Sequence, residues 1–249
     1  MKNVGIIYNN RIPEALDLSM AILHELDLPE GSWYSPAENL ESLAPRAEGT
    51  DLVVTVGGDG TILRAVRFTG PANIPIVGIN MGRLGPPSPG GGSTIEQGPY
   101  HALNDFVVAR GAASRVVSIA GTIDGAQVST FRADGLILST ATGSTGYNLA
   151  VGGPILDPES DALVLKTVAA HMGLTAALVL RSDAEVTLQL EGYQGAVLSV
   201  DGYEDYDLQP GDRVDLAQSP YKATFLRANP PSYFFGTLTR RLGFSIRGQ

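Results

Sequence analysis

The stretch Asp51-Leu52-Val53-Val54-Thr55-Val56-Gly57-Gly58-Asp59-Gly60-Thr61 decides how the first part of the chain is read. Leu52, Val53, Val54 and Val56 form an aliphatic run without regular polar alternation. Such a run reads as a strand buried on both faces, the kind found in parallel sheets. Glycines follow at once, and Ile62–Phe68 then continues as helix. A strand that passes through glycines into a helix suits phosphate binding. Backbone N–H groups can approach an anion with no side chain between, and glycine accepts φ > 0. The helix N-terminus adds unpaired donors and a partial positive charge. Thr61 is expected as its N-cap. The loop lacks the Gly-Lys-Ser/Thr of a Walker A motif and the Gly-x-Gly-x-x-Gly of a dinucleotide fingerprint.

Asp59 is the unusual member of the loop. Phosphate repels a carboxylate placed among its amide donors unless that carboxylate has work to do. It can take a proton from an attacking hydroxyl, or help hold Mg²⁺. The plainer reading is a tight strand-to-helix turn in which Asp59 is a local cap.

Moving outward, Val4–Tyr8 reads as an opening strand, and Pro13 to Leu26 as a helix with Leu16, Met20 and Leu23 at helical spacing. Pro75–Asn80 reads as a further strand. Strand–helix–strand repetition predicts a parallel sheet with right-handed crossovers. After about residue 100 the texture changes to short β-branched and aliphatic runs. They are Phe106–Arg110, Val116–Ile123, Gln127–Arg132, Leu136–Ser139, Leu163–Val168, Ala177–Leu180, Val186–Leu190, Ala196–Val200, Val214–Leu216 and Thr224–Arg227. Asp124-Gly125 and Asp201-Gly202 sit where hairpin turns are expected. Ser232 to Leu242 carries Phe234, Phe235, Leu238 and Leu242 at helical spacing. Between the halves, Pro86-Pro87-Ser88-Pro89-Gly90-Gly91-Gly92-Ser93 is too rich in glycine and proline for regular structure. The expected organisation is an α/β domain over 1–98 with its linker near 86–98, a β-rich domain over 99–228, and a helical tail over 229–249 that docks back on the first domain.

Bulk properties bound the function. The 249 residues suffice for a large core, and 43% hydrophobic with 17% charged residues is a globular composition. Zero cysteines exclude disulfides, thiolate metal sites and cysteine nucleophiles. The net charge of −9, with no Lys/Arg cluster, argues against a nucleic-acid footprint. No apolar run is long enough for a membrane span, and the amino terminus has no secretory pattern, so a cytoplasmic protein is expected. An anionic nucleotide would meet a repulsive overall field and needs local donors, arginines or a metal ion. His24, His101 and His171 are scattered and not at ligand spacing.

Three further stretches carry chemistry. In Gly78-Ile79-Asn80-Met81-Gly82-Arg83-Leu84-Gly85, Asn80 ends a strand where open α/β sheets bind ligands; otherwise it is a turn-forming residue. Asn104 beside Asp105 offers donors and acceptors to an adenine edge and to ribose hydroxyls, or else forms a loop cap. Thr142-Gly143-Ser144-Thr145-Gly146-Tyr147, followed by Gly152-Gly153-Pro154, combines hydroxyls with small residues. These let a flat dinucleotide lie close, with Tyr147 able to stack or donate.

Together these motifs resemble the NAD kinase family over essentially the whole chain. Gly57–Thr61 with Ile62-Leu63-Arg64 resembles its glycine-rich signature, which is shared with diacylglycerol and sphingosine kinases. The Asn80 turn, the Asn104–Asp105 pair and Thr142–Tyr147 resemble the family's later motifs, with Ala141 replacing a proline and Gly146 an alanine. The resemblance implies an α+β fold: a Rossmann-like N-terminal parallel-sheet domain and a C-terminal all-β domain, with NAD in the cleft between. It implies transfer of a γ-phosphoryl from ATP or polyphosphate to the adenosine ribose 2′-hydroxyl, a divalent cation such as Mg²⁺, and a homodimer or homotetramer. Asp59 would be the base. Gly57, Gly58, Gly60, Thr61 and Arg64 would serve the nucleotide phosphates. Asp134 would reach a nicotinamide bound by a neighbouring subunit, and Arg115 and Arg132 would add cationic contacts or remain solvated strand charges. Two alternatives stay open: a lipid kinase sharing the glycine loop, and an NAD(P)-binding relative with impaired catalysis. The second arises because the segment after Gly85 is short and lacks the family's aromatic.

Overall fold

The aliphatic run Val4–Tyr8 forms β1, and each of its five residues is buried. Pro13–Glu25 follows as α1, opened by the proline. Trp33–Pro36 is β2, leading into tight 3-10 turns over Ala37–Gly49. Leu52–Gly57 is β3, Asp59–Thr69 is α2 and Ile76–Asn80 is β4. The strands are all parallel, in the order β2-β1-β3-β4. Alternate residues explain the layering. Ile6, Val54 and Val56 pack with Ala15, Leu16 and Ile22 of α1 on one face. Ile7 and Val53 pack with Ala65, Trp33 and Phe68 on the other. Helices on both faces bury both sides of the central strands β1 and β3, which is why polar alternation is missing from their sequence.

The remaining strands are Ser93–Thr94 (β5), Asp105–Arg110 (β6), Val117–Ile123 (β7), Ala126–Ala133 (β8), Gly135–Ser139 (β9), Leu163–Val168 (β10), Leu178–Leu180 (β11), Val186–Glu191 (β12), Ala196–Val200 (β13), Glu204–Leu208 (β14) and Arg213–Leu216 (β15). A short helix, Tyr147–Ala150 (α3), lies between β9 and β10. Two sheets result, β11-β10-β9-β6-β13-β14-β5 and β15-β12-β7-β8. Between these sheets one core draws Val108, Leu138, Leu165 and Leu198 from the first sheet and Ile119, Phe131, Val186 and Leu188 from the second. At both Asp-Gly turns the two residues take positive φ, 51° and 77° at Asp124-Gly125 and 55° and 63° at Asp201-Gly202. That is the backbone of a two-residue hairpin turn.

The structure, a computed structural model, describes residues 3–80, 93–94, 100–111, 115–227, 229–230 and 232–241. The chain divides into two units: 1–82 with 223–249, and 83–222. The return to the first unit comes earlier than the expected tail. Thr224–Arg227, expected as a strand of the β-rich part, instead meets β4. The Ile76 N–H donates to the Thr224 carbonyl at 2.8 Å, and the Leu226 N–H donates to the Ile76 carbonyl at 2.8 Å. The last helix, Ser232–Arg241 (α4), also belongs to the first unit. The Pro/Gly stretch 86–92 falls outside the described residues. Ser93, expected within it, opens β5, which pairs in parallel with β14. No described helix is long and apolar enough to cross a membrane.

Candidate active site

In the first unit, β1 lies at the point where the chain reverses direction across the sheet. Its crossover through α1 leads to β2 on one side, and β3 pairs on the other. Open parallel sheets bind ligands beyond the carboxyl ends of strands at such a point. The residues there are Asn9 after β1, Gly57–Gly60 after β3, and Asn80, the last residue of β4, which pairs with Gly57. The Asn9 N–H donates to the Val56 carbonyl at 3.0 Å, and its side-chain oxygen accepts from the Arg11 N–H at 3.0 Å.

The glycine loop differs in detail from the sequence reading. α2 starts at Asp59, so the N-cap is Gly58, in extended backbone with φ −91° and ψ −169°. Thr61 is therefore not the cap. It lies inside the first turn, buried, with its N–H donating to the Gly58 carbonyl at 3.0 Å. None of Gly57, Gly58 and Gly60 is among the glycines with positive φ, so none is there for a left-handed backbone. A Cβ on Gly57 would run into the Thr61 hydroxyl and stand 3.0 Å from Asn9 Cβ. At Gly60 a Cβ would meet nothing within 4 Å. Gly57 is thus required by the fold, while no protein contact requires a glycine at position 60. Asp59 is exposed at the positive end of α2. Arg64, expected at the phosphates, donates from its guanidinium to Glu38 Oε1 at 2.8 Å.

In the second unit the structure ties three separated motifs into one knot. Thr140 Oγ1 donates to the Leu103 carbonyl at 2.6 Å, and the Thr140 N–H donates to the Asn104 carbonyl at 2.8 Å. The Gly143 N–H donates to Thr140 Oγ1 at 3.2 Å. The Asp201 carboxylate, from the β13–β14 turn, accepts from the Leu103, Asn104 and Asp105 N–H groups at 2.9, 2.7 and 3.1 Å. The Asp201 N–H returns a bond to the Asp105 carbonyl at 2.9 Å. In the sequence Asp201 reads only as a turn residue. The available signal was an aspartate in first position of a left-handed turn, whose side chain is free to bond elsewhere.

The Thr142–Tyr147 motif splits by burial. Thr142, Gly146 and Tyr147 are exposed and Thr145 is half-buried. Ser144 is fully buried: its hydroxyl donates to the Ala141 carbonyl at 2.7 Å and accepts from the Leu156 N–H at 3.0 Å. Asn148, also buried, donates to the carbonyls of Ser144 and Pro154 at 3.1 and 2.9 Å. These two side chains fasten the motif to the Gly152-Gly153-Pro154 turn. A Cβ on Gly153 would collide with the Asn148 amide, which explains the glycine.

Asp105 is the electrostatic oddity. Burial, with the Asp201 carboxylate nearby, pushes its carboxyl up to about 6. A carboxylate raised in the fold costs stability once ionised. The native state binds more protons than the unfolded chain between about pH 4 and pH 6, so stability falls as pH rises across that window. At neutral pH the cost is on the order of 3 kcal/mol. Asp105→Asn is therefore expected to raise the melting temperature at pH 8 and to leave it nearly unchanged at pH 4. Thermal melts at the two pH values check this; a lower melting temperature at pH 8 would contradict it.

The other candidates lie apart from this knot. Asp134 pairs with Arg110 at 3.1 Å. Arg115 is exposed and, with Arg110, borders a cavity of about 240 Å³ also lined by Gln194 and Asp207. Arg132 is exposed on β8, and its backbone bonds Met172. Among the described residues no three His, Asp or Glu side chains converge as a metal cage.

Comparisons with known proteins agree with this architecture. Residues 29–86 match the ATP-NAD kinase N-terminal domain and residues 103–228 the ATP-NAD kinase C-terminal domain. The segment between the matches is the one rich in proline and glycine. An NAD kinase of Dehalococcoides mccartyi strain BAV1 is 36% identical, with 97% of this chain and 96% of the relative covered. The alignment runs over 272 positions, more than the chain's 249 residues, so the relative carries residues this chain lacks. An NAD kinase of Chloroflexus aggregans is 42% identical over 77% of this chain and 80% of its own. Among solved structures, yeast NADH kinase complexed with NADH superposes with a TM-score of 0.78 at 23% identity, covering 100% of this chain and 90% of that one. An NAD kinase from Archaeoglobus fulgidus in complex with ATP gives 0.72 at 24%, covering 95% and 98%. With both domain models matched in order and such relatives spanning most of its length, the chain belongs to the ATP-NAD kinase family.

Proposed function

We infer that the chain forms NADP by transferring the γ-phosphoryl of ATP, or of polyphosphate, to the 2′-hydroxyl of NAD's adenosine ribose. The observation that carries this reading is the knot that holds Asn104 and Asp105 beside the exposed Thr142 and Tyr147. An amide and a carboxylate fixed side by side offer donors and acceptors to an adenosine, and the hydroxyl-rich turn is too polar for a lipid acceptor.

The two units take different ligands. The Gly58–Gly60 turn opens α2 and offers amides to the donor phosphates. The 2′-oxygen attacks the γ-phosphorus, the bond from phosphorus to the bridging oxygen breaks, and the diphosphate departs. Asp59 accepts the hydroxyl proton, and the rest of the rate comes from alignment and charge stabilisation. A divalent cation such as Mg²⁺, carried by the donor phosphates, would need only one or two protein carboxylates, and exposed Asp59 is the one in the glycine loop; when bound it would neutralise charge on the transferring group. The reading includes a homodimer or homotetramer, which sedimentation velocity distinguishes.

Asn104→Ala tests the assignment. It is expected to weaken NAD binding about 5- to 150-fold, the equivalent of about 1–3 kcal/mol, while ATP affinity changes less than about twofold. Calorimetric titration of each nucleotide, beside a coupled assay for NADP, checks it. Equal losses for both nucleotides would contradict the assignment, and NAD binding without turnover in the parent protein would leave a binder in place of a kinase.

A further inference from the structure

We propose that Asp201 is a positioning residue for NAD: through the backbone of residues 103–105 it sets the geometry with which Asn104 and Asp105 meet the adenosine. The proposal rests on the reading of that pair given above. Asp201 lies at the opposite end of the domain sequence, in the turn between β13 and β14. Its carboxylate takes three consecutive N–H groups, from Leu103, Asn104 and Asp105. Three successive amides turned toward one anion form a concave cradle, the arrangement that otherwise holds a bound phosphate or carboxylate. Here the anion is part of the protein, and it fixes the backbone immediately before β6.

Two further observations place the effect at the ligand-facing residues. The first is that the cradle spans the pair itself. Asn104 and Asp105 both donate to Oδ1, and Leu103 donates to Oδ2. Releasing the carboxylate frees the peptide planes on both sides of Asn104 and leaves their carbonyls bound to Thr140. The second is that Asp201 adopts φ 55°, in the left-handed region. Asparagine and aspartate tolerate that region better than other side-chain-bearing residues, and they carry an acceptor at the right distance from the backbone. A hairpin turn alone needs no carboxylate at this point, because glycine meets the conformational demand. The carboxylate is what the 103–105 segment requires.

The test uses the full chain and two variants. Asp201→Gly keeps the turn conformation and removes all three acceptor contacts. Asp201→Asn keeps one oxygen for Asn104 and Asp105 and presents an NH₂ group to Leu103. In steady-state assays Asp201→Gly is expected to raise KM and Kd for NAD about tenfold or more. KM for ATP and kcat at saturating NAD should stay within about threefold. Asp201→Asn should recover most of the loss. Equal changes in both KM values, an unchanged KM for NAD, or an asparagine variant as poor as the glycine variant would overturn the proposal. If Asp201→Gly does not fold, Asp201→Ser, whose shorter side chain cannot span the three amides, takes its place: a folded serine variant with NAD and ATP constants matching the parent overturns the proposal, and a rise confined to NAD that Asp201→Asn does not share supports it. Asn104→Ala in the same assay separates the two levels. If it leaves NAD affinity unchanged, the reading of the pair fails whatever Asp201 does; if it weakens NAD while Asp201→Gly does not, only the positioning role fails.

Discussion

Replacing Asp59 by asparagine is expected to lower kcat by about 10²–10⁴-fold while NAD affinity changes little. The substitution is nearly isosteric and sits at an exposed position in the first turn of α2. It removes a favourable charge from the helix N-terminus, which costs about 0.3–1 kcal/mol, so the fold survives. The donor phosphates lose a repelling neighbour, so ATP should bind as well as before or more tightly. The combination of collapsed turnover and retained binding is what separates a base from a structural cap. Single-turnover NADP formation, paired with calorimetry for both nucleotides, measures it. Turnover within about threefold of the parent would remove Asp59 from proton transfer.

Gly143→Ala is expected to weaken NAD binding about 100-fold and to destabilise the protein by about 1–3 kcal/mol. The reason is space. The added Cβ would fall on the Asn104 carbonyl oxygen, 2.6 Å from its carbon and 2.7 Å from Ser139 Oγ. A backbone carbonyl cannot swing aside as the end of a long side chain can. Relief requires the Asn104 segment or the Gly143 turn to move, and that breaks the bond from the Thr140 N–H to the Asn104 carbonyl. Gly49→Ala is the control, since its Cβ would meet nothing within 4 Å and the position is exposed and outside the motif. A calorimetric NAD titration in which both variants match the parent would show that the knot is dispensable.

The parallel half of the fold was legible because burial on both faces leaves an unmixed aliphatic run, as in β1 and β3, and because glycines mark the passage into α2. The hairpins were legible where Asp-Gly supplies two left-handed residues. β2 was not: only Trp33 and Ser35 turn inward, and the strand ends in proline before irregular turns. β14 was hidden by Glu204, Asp205 and Asp207, which occupy partly or fully exposed positions beside inward Leu208. At the candidate site, residue type alone did not separate lining from scaffold. Thr142 and Ser144 carry the same functional group, yet one faces solvent and the other is spent on Ala141 and Leu156. Asp201 was missed for a related reason. Its partners are backbone amides nearly a hundred residues away, and those leave no mark in side-chain chemistry.

The bond from Ile76 to Thr224 has a consequence for synthesis on the ribosome. β4 is the edge of its sheet, and the segment that meets that edge is translated only after the whole of the unit spanning 83–222. At about 5–20 residues per second, the roughly 150 intervening residues keep the edge waiting on the order of ten seconds. The first unit therefore begins to emerge first and is completed last. For that interval the nascent chain presents an unpaired strand edge, the feature that chaperones must shield from neighbouring chains.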